Sequence, residues 1–210
     1  MAADTGADRR LIWGLGAGAL ASGIALLVAL SGADGSGRRA QPAVATTTTV
    51  DLSSVPNDEL ERVVAENPGV VPMRLALVER YLRGNELANA QRHAEEAAVR
   101  AGTVEDRARA LRYLGWTTAL LGEAEQGEGI LVQSLALEPT DRDGLYFLGR
   151  VRFELMGRPD LALGPLEQLA AFDMDDEQRQ LVDTLLAEVR VAAGTGPAAT
   201  SETAPPSPEG

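Results

Sequence analysis

The stretch ALRYLGWTTALLGEAEQGEGILVQSLALEPTDRDGLYFLG, Ala110 to Gly149, carries a Leu-Gly pair twice. Leu114-Gly115 and Leu148-Gly149 lie 148 − 114 = 34 residues apart, each within apolar residues at helical spacing. A chain folded around one undivided core has no reason to repeat itself at that interval. Stacked helix pairs do, because each pair offers the same apolar face to the next.

The pattern extends on both sides. From Val55 to about Ala193 apolar residues recur at three and four positions, as helices require, and no strand alternation competes with them. Turn residues punctuate the run at Asn67-Pro68-Gly69, Gly84-Asn85, Gly102-Thr103, Gly122, Pro139-Thr140 and from Gly157 to Asp160. Thr103 stands three residues before Asp106, and Thr140 three before Asp143, which is capping-box spacing with Asp in place of Glu. Asp175 or Asp176 can cap the last helix, from Glu177 to Ala193.

The unit from about Ala108 to Asp141 resembles the tetratricopeptide repeat. Leu111, Leu114 and Gly115 mark the inner face of its first helix, Gly122 the turn, Gly127, Leu131 and Leu135 the second helix, and Pro139 its close. A second unit, about Arg142 to Asp175, has Leu145, Leu148, Gly149, Gly157, Ala162, Leu166 and Ala170. A third and more degenerate unit, about Val71 to Val104, has Leu77, Tyr81, Gly84, Ala90, Ala94 and Ala97. The resemblance implies an all-α solenoid of about three helix pairs with a capping helix, spanning residues 55–193. Three features depart from the family pattern. The usual Trp near the start of each unit is missing. The units at Val71 and at Ala108 are offset by three extra residues (118 − 81 = 37 for Thr118 and Tyr81). Pro165 falls within the expected second helix of the last unit, which either kinks there or starts late with Pro165 in its first turn.

Outside this block the composition changes. Residues 1–10 form a short polar head. Leu11 to Ser31 contain no charge, and these 21 residues would span about 31 Å as a helix, close to the hydrocarbon thickness of a bilayer. This segment is read as a retained transmembrane anchor; the alternative is a cleaved secretory signal ending near Ser31-Gly32-Ala33. Gly14, Gly18 and Ser22 make a small-residue stripe along it that would let two spans associate. Residues 32–54 read as a flexible, Thr-rich linker and residues 194–210 as a disordered Pro/Ala/Ser/Thr tail. Arg9 and Arg10, set against a very short head, favour an N-in anchor at the cell membrane with the folded part outside the cytoplasm.

Several function classes are set aside by composition. A net charge of −12 offers no basic field for nucleic acid. With no cysteine, the chain makes no disulfide and no thiolate metal site of its own. His93 is the one histidine, read as a surface residue of a second helix. The run Phe172 to Glu177 clusters Asp173, Asp175 and Asp176 but lacks the glycine and terminal Glu of a calcium loop. Gly14 to Ala19 spells a dinucleotide-loop pattern inside the apolar span, with no strand before it. The chain is therefore read as non-enzymatic, with neither cofactor nor metal.

The resemblance implies instead a groove lined by first-helix residues, here Arg109, Arg112, Trp116, Tyr146, Arg150 and Phe153. Arginines would hold a peptide's carboxylates and the rings would cover its apolar side chains, with Trp116 and Phe153 alternatively packed between pairs as core. The expected function is a membrane-anchored scaffold or chaperone for a protein or peptide partner. More narrowly, span, tether and the segment from Asp58 to Asn85 are similar to the TPR component of bacterial cytochrome c maturation. That likeness implies a role in holding apocytochrome c for haem attachment. A general cell-envelope assembly scaffold is the alternative.

Overall fold

The structure, a computed structural model, describes residues 55–195. Its helices are α1 (Asn57–Glu66), α2 (Val71–Arg83), α3 (Leu87–Arg100), α4 (Val104–Leu120), α5 (Ala124–Leu137), α6 (Arg142–Arg150), α7 (Pro159–Ala170) and α8 (Asp176–Ala192). α6 runs on as a π-helical turn, Val151–Leu155. No strand occurs among the described residues. The pairs α2/α3, α4/α5 and α6/α7 pack in order, with α1 on the first pair and α8 on the last. α1 buries Leu60 and Val64; α8 buries Val182, Leu186 and Val189. Both ends of the apolar seam are thereby covered, as a stack of helix pairs requires.

Small residues set how closely the pairs close. A Cβ on Gly115 would lie 2.8 Å from the Gly127 carbonyl oxygen, and one on Gly127 would lie 2.6 Å from the Ala119 Cβ. α4 and α5 therefore cross with their backbones nearly touching. In the next pair a Cβ on Gly149 would meet Leu166 at 2.6 Å. Each turn within a pair is made by one residue in the left-handed region: Asn85 (φ 59°), Gly122 (φ 100°) and Gly157 (φ 64°).

Two irregularities of the repeat have a local cause. The three extra residues before the unit at Ala108 lengthen its first helix: α4 has 17 residues against 13 in α2 and gains a turn at its start. The second shift is subtler. Gly115 meets Leu131 after 131 − 115 = 16 residues, but Gly149 meets Leu166 after 166 − 149 = 17. The π-helical turn accommodates that added residue without breaking the helix. Pro165 lies well inside α7, which begins at Pro159, so the late-start alternative is excluded.

The caps are mixed. The Thr103 hydroxyl accepts from the Asp106 amide at 3.1 Å, and Asp175 Oδ1 accepts from the Gln178 amide at 2.8 Å. Thr140 does not cap α6: the N-cap is Asp141, and its carboxylate is engaged by Arg112 rather than by the helix amides. His93 is also corrected. It is buried where α1, α2 and α3 meet, because Glu61 and Arg74 satisfy its two ring nitrogens.

No helix among the described residues is long and apolar enough to cross a membrane. The proposed span Leu11–Ser31, with Gly14, Gly18 and Ser22, lies outside the described residues. So do the head, the linker and the tail from residue 196 onward.

Candidate functional site

First helices α2, α4 and α6 touch one another across the pair boundaries, whereas second helices of successive pairs make marginal contact at most. A stack that closes on one side and splays on the other curves around its closed side. The inner face is therefore lined by first helices, and the six residues singled out from sequence lie on α4 and on α6 with its π-helical turn.

The structure gathers three of the six, Trp116, Tyr146 and Arg150, with a third ring, Phe147. Trp116 of α4 stacks on Phe147 of α6, with centroids 4.7 Å apart and planes 9° from parallel. Tyr146 tilts against Phe147 at 6.1 Å. The Arg150 guanidinium lies 5.5 Å from the Trp116 centroid and 5.7 Å from that of Tyr146. Glu154 holds it from one turn on, through Nε to Oε1 at 2.7 Å and Nη2 to Oε2 at 2.5 Å. Trp116 is only 1% exposed, so its ring is mainly packing between pairs. Phe153 is half-buried against the same core.

Arg112 is drawn elsewhere. Its Nη1 donates to Asp141 Oδ1 at 2.6 Å and lies 3.3 Å from Asp143 Oδ2, which ties α4 to the start of α6. Burial works against its charge, but the Tyr113 hydroxyl beside it and the carboxylates of Asp141 and Asp143 hold it firmly protonated. Next to it, the Tyr113 hydroxyl donates to Glu79 Oε1 at 2.7 Å and ties α4 back to α2. Burial raises the Tyr113 pKa; Arg112 opposes this and Glu79 adds to it. Burial also raises Asp143 above the usual carboxylate value; Arg112 opposes this, and Asp141 and Glu79 add to it. Arg109 is half-buried and close enough to lower Asp143 electrostatically.

A crystal structure of MamA protein, a TPR-like helical protein, superposes with a TM-score of 0.53 at 20% identity, covering 66% of this chain and 72% of that one. The fold is of the tetratricopeptide type. A second crystal structure of MamA matches with a TM-score of 0.49 at 18% identity, over 66% of this chain and 86% of that chain. No protein-family model and no curated protein matches the chain.

The six residues lie on first helices, but the pairing of the charges around them was not legible in the sequence. Glu79, Tyr113, Asp141, Asp143, Phe147 and Glu154 belong to the same array. Of these, only Glu154 carried a readable signal, its i,i+4 spacing from Arg150. Among the described residues, no group of His, Cys, Asp and Glu could hold a metal ion.

Proposed function

We propose that the protein is a non-catalytic scaffold that holds a polypeptide along the inner face of α2, α4 and α6. The carrying observation is the continuity of that face across pair boundaries, with polar groups half-open along its floor. An extended chain can follow such a surface over several helices, which a single isolated pair does not allow.

The finer reading rests on sequence resemblance. In it, Leu11 to Ser31 anchors the protein in the cell membrane, the helical part lies outside the cytoplasm, and the polypeptide held is apocytochrome c awaiting haem.

A photo-crosslinking residue tests the coarse reading. Placed at Arg109 on the inner face it is expected to trap a polypeptide in cells, whereas the same group at exposed Glu125 on α5 traps none. Trapping through position 125 alone contradicts the reading. Apocytochrome c among the products of the Arg109 probe supports the finer one, and only unrelated envelope proteins there defeat it.

A further inference from the structure

The inner face is short of positive charge where a partner would meet it. Two guanidinium groups, Arg109 and Arg112, stand among three carboxylates, Asp141, Asp143 and Glu79. Exposure sharpens the contrast. The Arg112 side chain is 8% exposed and that of Arg150 is 7%, while Asp143 is 18% and Glu154 33% exposed. Arg112 and Arg150 are sealed below and already paired, and Arg109 is half-buried; Asp143 and Glu154 are the carboxylates that solvent reaches.

We propose that this face selects a polypeptide with two cationic side chains, one paired with Asp143 and the other with Glu154. This reverses the expectation that the arginines take up carboxylates, and it rests on the inner-face reading above. Asp143 is held on that face by Arg112, and Glu154 by Arg150, which lies over Trp116 and Tyr146. The two acids are 154 − 143 = 11 residues apart on one continuous helix, or about 16 Å at about 1.5 Å per residue. An extended chain covers that distance in about five residues. The partner therefore carries Arg or Lys at positions about five apart. The chain's net charge of −12 attracts such a segment from a distance.

The test uses the full chain and two synthetic ten-residue Gly/Ser peptides, one with arginines five apart and one with glutamates at the same positions. Binding is followed by NMR shift perturbation. The arginine peptide is expected to bind on α4 and α6. Asp143→Asn and Glu154→Gln are each expected to weaken it about threefold, and Glu125→Gln on α5 to leave it unchanged. Equal weakening by Glu125→Gln, equal binding of the glutamate peptide, or no binding of either overturns the proposal. If the glutamate peptide perturbs α4 and α6 instead, the selectivity is wrong while the inner-face reading stands. Perturbations confined to α3, α5 and α7 overturn both.

Discussion

Arg152 Nη1 donates to the carbonyl of Leu161 at 3.0 Å, and Leu161 is the residue four before Pro165. A proline in a helix leaves that carbonyl without its amide donor. The guanidinium, held from its other side by Glu128 at 2.7 Å, supplies the missing hydrogen. Arg152 sits in the π-helical turn of α6, so the extra residue of one helix and the proline of the next meet at a single side chain. Arg152→Met is expected to cost about 1–3 kcal/mol, since it orphans both a carbonyl and a carboxylate. In a Pro165→Ala background the helix regains its own donor, and the loss should shrink by about 0.5–1.5 kcal/mol in a double-mutant cycle read by urea unfolding. An undiminished loss would show that the carbonyl is irrelevant.

Five of the helical glycines fall into two groups. Gly115, Gly127 and Gly149 have no room for a methyl, whereas Gly129 and Gly164 have nothing within 4 Å of an added one. Alanine at any of the first three should destabilise by about 1–3 kcal/mol through overpacking. Alanine at Gly129 or Gly164 should stabilise by up to about 1 kcal/mol, because glycine is the poorer helix former. Thermal melts of the five variants give the comparison, and a uniform sign across them would contradict the close crossings.

The Arg112–Asp141 pair locks the second helix pair to the third. Arg112→Met leaves a buried carboxylate without its cation and should cost about 3–5 kcal/mol. Adding Asp141→Asn should recover part of that loss, because the stranded charge is then gone. A single variant as stable as the parent would mean the pair is solvated in solution.

The stacking was legible because its cause is periodic. Gly115 and Gly149 recur where helices cross, and Gly122 and Gly157 recur where the chain must reverse with positive φ. The π-helical turn was hidden, since one added residue between Gly149 and Leu166 leaves no mark in composition. The charge pairing was hidden for a different reason. Periodicity assigns a residue to a face but does not say that Arg112 will be met by Asp141, 29 positions away, or that Trp116 will be covered by Phe147. His93 was misplaced on the surface because its partners Glu61 and Arg74 lie on two other helices.

That histidine gives a pH dependence with a definite sign. Nε2 donates to Glu61 Oε1 at 2.8 Å, and Nδ1 lies 3.4 Å from Arg74 Nη1 and accepts from it. The ring is therefore held neutral, with Arg92 nearby and Tyr81 stacked on it. Burial lowers its pKa below the ordinary 6.5; Glu61 opposes this, and Arg92 and Arg74 add to it. Unfolding then takes up a proton as the pH falls, so this part of the stability is complete above pH 6.5 and declines below it. Glu61 behaves alike in a lower window. Burial opposes its ionisation, but bonds from Tyr81 and His93 prevail and hold its pKa below 4.5. Its contribution is lost only as the pH drops past that value. Urea unfolding between pH 8 and pH 5 should show the first decline, and His93→Gln should abolish it. As the one histidine of the chain, its ring resonances are unambiguous. Titration above 6.5 would contradict the buried, neutral assignment.

The account depends most on first helices of successive pairs lying side by side, because the inner face exists only if they do. Nuclear Overhauser contacts between the Trp116 and Phe147 rings, in the full chain, measure this directly. Parallel rings with centroids 4.7 Å apart should give strong cross-peaks between residues 147 − 116 = 31 positions apart. Absence of those cross-peaks, with the Trp116 indole N–H exchanging as fast as a solvent-exposed one, would contradict the stack and the inner face with it.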